Sequence, residues 1–420
     1  MVHPSDRIRG SETHHLAGRR IVLAVSGSIA AVKTVELARE LIRHGAEVLP
    51  VMTPAACGII TPDALEFATG IRPVVTLTGQ VEHVRELGEE GDAHLLLVAP
   101  ATANTVAKMA LGIDDTSVTT FATVALGAGR PVIVAPAMHG VMEENPPIQR
   151  HVEALKALGV RFVRPLYEEG KAKLAAIDDI VAEVKRELGP GTLRGERVLI
   201  VTGASEEPVD PVRVITNRSS GKTGNVLAWE AHRLGADVTV MTPSDPHRWP
   251  PGCEIHHFDT VRSLLDTFET RLADLAPDWV LFPAALSDFA AEAKENKISS
   301  DQTSLDISLR RLPKAMTKVR ELLPKTRLVG WKLQDTLDEA VESARGRLEE
   351  HGADAFVANA RETMGAAETD AMLVLADDTH PLSGEKAEVA ERLWGLLLRH
   401  VAGRDDPTEE IEHLGQGEWV

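Results

Sequence analysis

The stretch "NRSSGKTG", Asn217 to Gly224, contains the Gly-Lys-Thr that ends a nucleotide-triphosphate P-loop. A P-loop also needs a glycine five residues earlier, and Thr216 stands there. The preceding strand-like run, "RVLIVTG", ends at Gly203, too early for a short strand-to-helix loop. The motif fails as a P-loop, yet Ser219, Ser220, Gly221 and Lys222 at a helix start still suit a phosphate. In the other half, "SGSIAA" puts Ser26, Gly27, Ser28 and Ile29 at a second helix start suited to a single phosphate. A plain N-cap serine meets the same pattern. "APATAN" sets Pro100, Ala101, Thr102 and Asn104 at a strand end, with polar groups where a flat ring could lie. His83, in "VEHVREL", reads by itself as a surface or packing histidine.

Two similar stretches must position these residues. "RIVLAVSGSIAAVKTVELARELIRHGAEVLPVMTP" and, after an inserted loop, "RVLIVTG…SSGKTGNVLAWEAHRLGADVTVMTP" each read strand, glycine loop, amphipathic helix, strand. Such β-α-β units imply right-handed crossovers and parallel strands, and unbroken apolar strands suit sheets covered on both faces. Further strands are expected at "HLLLVAP", "PVIVAPA", "DWVLFPAA", "RLVGW" and "DAFVAN". The expected fold is α/β, with two doubly wound parallel-sheet domains. Gly-Pro-Gly within "KRELGPGTLRGER" places the boundary near Gly189. The expected division is a disordered tail at 1–19, domains at 20–189 and 190–403, and an acidic tail at 404–420. Neither domain carries G-x-G-x-x-G, which argues against a dinucleotide site. In such sheets ligands sit at the carboxyl ends of the strands, so Thr53 joins the candidates.

Composition bounds the chemistry. The 420 residues include 43% hydrophobic residues and a formal net charge of −18. That charge disfavours nucleic acid, and anionic substrates would need locally basic pockets. No apolar run approaches the ~18 residues of a membrane span, and the polar amino terminus is no secretory signal. Two distant cysteines, Cys57 and Cys253, fit a reducing cytoplasm and no thiolate metal site. The adjacent pairs His14-His15 and His256-His257 lack metal-ligand spacing, so no metal site is expected.

Taken together, "SGSIAA", "VEHV", "APATANTVAK", "GIDD" and "PAMHGVM" resemble the flavin-dependent cysteine decarboxylases. "PVDPVRVITNRSSGKTG", "AALSDF" and "NKIS" resemble phosphopantothenate–cysteine ligase. The order and length resemble the bifunctional coenzyme A biosynthesis family, in which the two activities are fused, over Arg20 to about Val401. The resemblance implies a flavodoxin-like first domain holding FMN through the Ser26 loop, Thr53 and Pro100 to Asn104, with Asp115 and Ser117 near the ring. His83 matches the family's catalytic histidine. A flavin is needed because direct loss of CO₂ from a cysteine amide leaves a carbanion without an electron sink.

The resemblance implies a Rossmann-like second domain. There CTP, carried with Mg²⁺, activates the carboxylate of 4'-phosphopantothenate, and the amine of cysteine then displaces CMP. Asn217 matches the position that holds the acyl cytidylate, and Lys297 the essential lysine. Asp288, Pro313, Lys314, Ala315, Met316, Trp331 and Arg347 match nucleotide-contacting positions, beside the Ser219–Lys222 loop. Read singly, Asp288 is also a helix cap, Lys297 a surface residue and Trp331 a core residue.

Two departures mark the first domain. His139 stands where bacterial relatives carry asparagine, which implies a role for it toward the substrate carboxylate. "EEGKAKLAAID" lacks their flap cysteine and offers Lys171 and Lys173, which close over substrate or form a solvated flap. Both departures resemble the archaeal branch. In the second domain Ser299 and Ser300 replace lysines frequent in bacteria. A ligase with an inactive flavin domain, or an FMN-binding regulatory subunit, are the competing expectations. The family resemblance also implies homo-oligomers, trimeric through the flavin domain and paired through the ligase domain.

Overall fold

A computed structural model of the chain describes residues 2–168, 171–243, 247–299, 303–363, 366 and 368–404. The expected acidic tail beyond 404, the tip of the lysine flap at 169–170, the Lys171 side chain and Ser300 lie outside the described residues. The chain divides into two compact units, Met1–Gly189 and Pro190–Val420.

The first unit holds a five-stranded parallel sheet of β1 (Arg20–Val25), β2 (Glu47–Met52), β3 (Leu95–Ala101), β4 (Val132–Pro136) and β5 (Arg161–Phe162), ordered 2-1-3-4-5. This is the flavodoxin-like order, whose switch point falls between β1 and β3. A small hairpin, β6 (Leu166–Glu168) with β7 (Lys171–Lys173), follows. The helices are α1 (Thr34–Arg43), α2 (Pro54–Cys57), α3 (Pro62–Thr69), α4 (Glu82–Leu87), α5 (Ala103–Leu111), α6 (Ser117–Gly127), α7 (Gly140–Glu143), α8 (Pro146–Ala157) and α9 (Ile177–Leu188). Side chains alternate across a strand, so Ile21, Leu23 and Val25 enter the core with α1 and α9. Val22 and Ala24 enter the opposite core with α5 and α6.

Residues 2–19 are packed, which corrects the expectation of a disordered tail. Leu16 is fully buried. Gly10, Glu12 and Leu16 donate backbone N–H groups to the carbonyls of Ile42, Arg43 and His44 at 3.0, 3.0 and 2.8 Å. Those carbonyls end α1 and have no partner within the helix. The polar segment caps a helix distant in sequence, which its composition could not reveal.

The second unit holds an eight-stranded sheet. Its members are β8 (Arg197–Val201), β11 (Asp237–Thr242), β12 (Glu254–His257), β13 (Trp279–Phe282), β16 (Arg327–Gln334), β17 (Ala355–Ala360), β18 (Glu368–Val374) and β19 (Thr379–Glu385). Their order is 12-11-8-13-16-17-18-19. The first six run parallel in the Rossmann arrangement, and β18 and β19 add an antiparallel edge. Two short hairpins stand apart: β9 (Glu206–Pro208) with β10 (Val214–Thr216), and β14 (Phe289–Ala291) with β15 (Leu309–Arg311). The helices are α10 (Lys222–Arg233), α11 (Val261–Leu275), α12 (Ala315–Leu322), α13 (Leu337–His351) and α14 (Lys386–His400). Val198 and Ile200 pack against α10 and α14, Leu199 and Val201 against α11 and α12. Gly224 lets α10 approach β8, since a Cβ there would fall 2.4 Å from Thr202 Cβ.

Candidate functional sites

In the first unit the loops after β1, β2, β3 and β4 are laced together by hydroxyl groups. Ser26, buried, donates to Pro100 O at 2.7 Å and accepts from Thr102 N at 3.0 Å. Ser117 donates to Met52 O at 2.8 Å, tying the start of α6 to the end of β2. Ser28 caps a 3-10 turn, Ile29–Lys33, and its hydroxyl lies 3.4 Å from Ala137 O. Ala137 N donates to Ala101 O at 3.0 Å. Thr53 and Thr102 cap α2 and α5. Gly27 is required by the lacing, because a Cβ there would lie 2.6 Å from that of Ala55. These hydroxyls hold the rim itself. What the rim offers a ligand is different: among the described residues nothing accepts from the N–H groups of Gly27 and Ile29. Asn104 stands exposed in the first turn of α5. Asp115 is exposed and paired with Lys108 Nζ at 2.6 Å. Two free amides, an exposed carboxamide and a switch-point crevice fit a phosphate-bearing planar cofactor.

His83 sits on α4, whose start is tightly held. Val81 occupies the left-handed region at φ 47°, unusual for a β-branched residue. Buried Glu82 accepts from Thr78 N at 3.1 Å and from its hydroxyl, which holds the Glu82 carboxyl below its ordinary range. The His83 ring meets Phe121 edge-on at 6.4 Å between centroids. Its Nδ1 is buried without a hydrogen-bond partner among the described residues. Such an orphan costs about 1–3 kcal/mol. His139 is exposed at the N-cap of α7.

In the second unit a cavity of about 720 Å³ opens at the carboxyl ends of β8, β13 and β16. It is lined by Asn217, Ser219, Ser220, Gly221 and Lys222, by Asp288, and by Pro313, Lys314, Ala315, Met316, Trp331 and Arg347. The structure therefore gathers these candidates around one space. Asn217 Nδ2 donates to the carbonyls of Ala285 at 3.1 Å and Leu286 at 2.9 Å, so it braces the loop that carries Asp288. Asp288 pairs with Lys314, whose hydrogen bond holds the carboxyl below its ordinary range. Lys332 faces the same charges. Burial, then Arg347, pushes its ammonium below the ordinary amine range. Lys297 is exposed on the 292–299 loop and is not among the lining residues.

Sequence reasoning missed several lining residues: His351, Asn359, Thr369 and Lys386. His351 is buried, pairs with Thr317 Oγ1 at 3.0 Å, and is pushed below the ordinary imidazole range first by burial. Lys332 stands beside Trp331 within β16, and the expectation of ligand contacts around the strand ends already covers it. The others come from elements that carry no motif. Among the described residues no group of three or more His, Cys, Asp or Glu could hold a metal ion, and no described helix is long and apolar enough to cross a membrane.

Two family descriptions match the chain: "Flavoprotein" over residues 9–189, and "DNA/pantothenate metabolism flavoprotein C-terminal domain" over 193–400. The chain is similar to the coenzyme A biosynthesis bifunctional protein CoaBC of Thermococcus kodakarensis. They are 46% identical over 94% of this chain and 98% of that protein. The CoaBC of Methanocaldococcus jannaschii is 35% identical over 94% of this chain and 96% of that protein. The CoaBC of Bacillus subtilis is 31% identical over 87% and 92%. The flavodoxin-like rim with its orphaned histidine and the cation-lined Rossmann cavity thus lie in one chain that belongs to the bifunctional coenzyme A biosynthesis family, enzymes with a decarboxylase and a ligase activity.

Proposed function

We propose that residues 190–403 join 4'-phosphopantothenate to cysteine, with CTP as the activating nucleotide. Residues 20–189 then decarboxylate the product to 4'-phosphopantetheine with bound FMN. The carrying observation is the second unit's cavity, where Lys222, Lys314, Lys332, Lys386 and Arg347 converge in a chain of net charge −18. Bringing a carboxylate onto a triphosphate sets two anions together, and fixed cations stabilise the charge that builds between them. Mg²⁺ arrives on the triphosphate rather than in a protein cage. In the flavin unit the free amides of Gly27 and Ile29 receive the FMN phosphate, and Asn104 contacts the cofactor. FMN, when bound, would supply a reversible two-electron acceptor that gives its electrons back to the product, so the decarboxylation is redox-neutral overall. The His83 ring takes the substrate's thiol proton, and His139 meets its carboxylate.

The relatives' names give coenzyme A biosynthesis, the motif resemblance supplies the substrates, and the cation set supports them. The exposed side chains of Ile29, Val84 and Val141 beside the rim, 79, 49 and 76% accessible, support burial against further copies of this unit in a homo-oligomer. We place the reaction in the cytoplasm, where CTP is made. The test supplies purified protein with 4'-phosphopantothenate, cysteine and CTP or ATP. Pyrophosphate and CO₂ should appear together, faster with CTP. Pyrophosphate without CO₂ would favour a ligase with an inactive flavin unit.

A further inference from the structure

Lys386 begins α14 and takes part in two spaces. Its side chain lines the 720 Å³ cavity with Lys222, Thr223 and Trp331. It also lines an adjoining pocket of about 30 Å³ with Val226, Leu227 and Val389. A residue bordering both spaces suits an amphipathic lysine, whose apolar stem can follow the groove between α10 and α14 while its ammonium reaches toward Lys222. The groove is fixed: Trp394 of α14 donates from Nε1 to Leu227 O of α10 at 3.2 Å.

Charge sets this lysine apart. Lys314, at another part of the cavity wall, is neutralised by Asp288. Among the described residues neither Lys386 nor Lys222 has a carboxylate or hydrogen-bond partner. Burial, then repulsion from Lys222, pushes the Lys386 ammonium below the ordinary amine range. Two unpaired cations in one wall, one of them half out of water, disfavour each other. An anion placed between them reverses that penalty. A lysine serving only as a solvated surface charge would have no such burial.

We propose that Lys386 is a phosphate-binding residue of this cavity, seating one phosphoryl group of a bound substrate together with Lys222. The proposal rests on the cavity being the ligase site. Two phosphoryl sources enter that reaction, the triphosphate of CTP and the 4'-phosphate of phosphopantothenate.

Calorimetric titration of the full-length chain separates them, using CTP, pyrophosphate, CMP and 4'-phosphopantothenate as probes. Lys386→Gln should weaken one phosphorylated probe about tenfold, the scale of losing one charge-assisted hydrogen bond. Lys386→Arg should recover most of the loss, because it restores the charge. Weakened CTP and pyrophosphate, with CMP unchanged, assigns the triphosphate. Weakened 4'-phosphopantothenate alone assigns the 4'-phosphate. Either result supports the proposal. Lys386→Met keeps the apolar stem and should match Lys386→Gln, and equal melting temperatures show that the groove is intact. Probe affinities in Lys386→Gln and Lys386→Met indistinguishable from wild type would overturn it. A wild-type protein that binds neither CTP nor 4'-phosphopantothenate would instead overturn the ligase reading of the cavity.

Discussion

Asp210 accepts the backbone N–H of Ile298, the residue after Lys297, at 3.1 Å. Arg213 Nη1 donates to the Ile298 carbonyl, also at 3.1 Å. On the other flank Lys294 N donates to Val209 O at 3.0 Å. The stretch carrying Lys297 is thus stapled on both sides to the 209–213 turn, and that turn runs into β10 and then Asn217. Burial opposes a charge on Asp210. The N–H groups of Ile298, Val212 and Arg213 and the Arg213 guanidinium prevail and hold its carboxyl at about 2.

Asp210→Asn keeps the side chain's size but removes its charge and sets an amide donor against N–H groups that one carboxylate oxygen now accepts. Pyrophosphate release from CTP and 4'-phosphopantothenate should fall about tenfold, the scale of one charged hydrogen bond. CO₂ release from supplied phosphopantothenoylcysteine should not change. In a Lys297→Ala background Asp210→Asn should slow the reaction no further. An additive loss would show that the staple serves something other than Lys297.

Lys297 and Asn217 should divide the ligase reaction. A cation stabilises the charge that builds as the carboxylate attacks, so Lys297→Ala should block pyrophosphate release by about 10²–10³. Asn217 is neutral and braces the Ala285–Leu286 backbone. Asn217→Ala should still form the acyl cytidylate but pass it slowly to cysteine. Mass spectrometry of quenched reactions with and without cysteine reads the difference, and accumulation in Lys297→Ala would refute it.

His83→Asn should keep the flavin absorbance and abolish CO₂ release while sparing the ligase. His139→Ala should raise the KM of the decarboxylation more than it weakens flavin binding. Undiminished CO₂ release from His83→Asn would remove His83 from the chemistry.

His44 gives the first unit an acid-sensitive joint. Burial first, then Lys185, lowers its pKa from 6.5 to about 3, and its Nδ1 shares a hydrogen bond with Thr13 Oγ1 at 2.8 Å. The unfolded chain takes up this proton near 6.5 and the folded chain only near 3. Stability from neutral His44 is therefore complete above 6.5 and declines as pH falls toward 3. Each unit of depression is worth about 1.4 kcal/mol. His44→Gln should flatten the melting temperature of the flavin unit across that window. An unchanged slope would assign the acid sensitivity elsewhere.

Much of this was legible because the signals are local. Apolar runs such as "RIVLAV" and the repeated Gly-Ala-acid-Val before the second strand of each unit identify parallel β-α-β units. Strand ends then locate the loops. What escaped depends on distant partners. Ser26 and Ser117 are hydroxyls at strand and helix ends, and their type suggests ligand contacts. Only the fold shows them bonded to Pro100 and Met52. Leu16 and its polar neighbours carry no sign that α1 awaits them. Lys386 opens a helix without any motif, and it reaches the cavity because β18 and β19 return the chain along the sheet edge. That edge was missed because "ETDAMLV" is half-buried and lacks an unbroken apolar run.

Ser26, Ser28 and Ser117 fasten the rim of the first unit to its own backbone. Their hydroxyls are committed to the protein, so replacing one by alanine loosens loops from different strands against each other before it takes anything from a bound molecule.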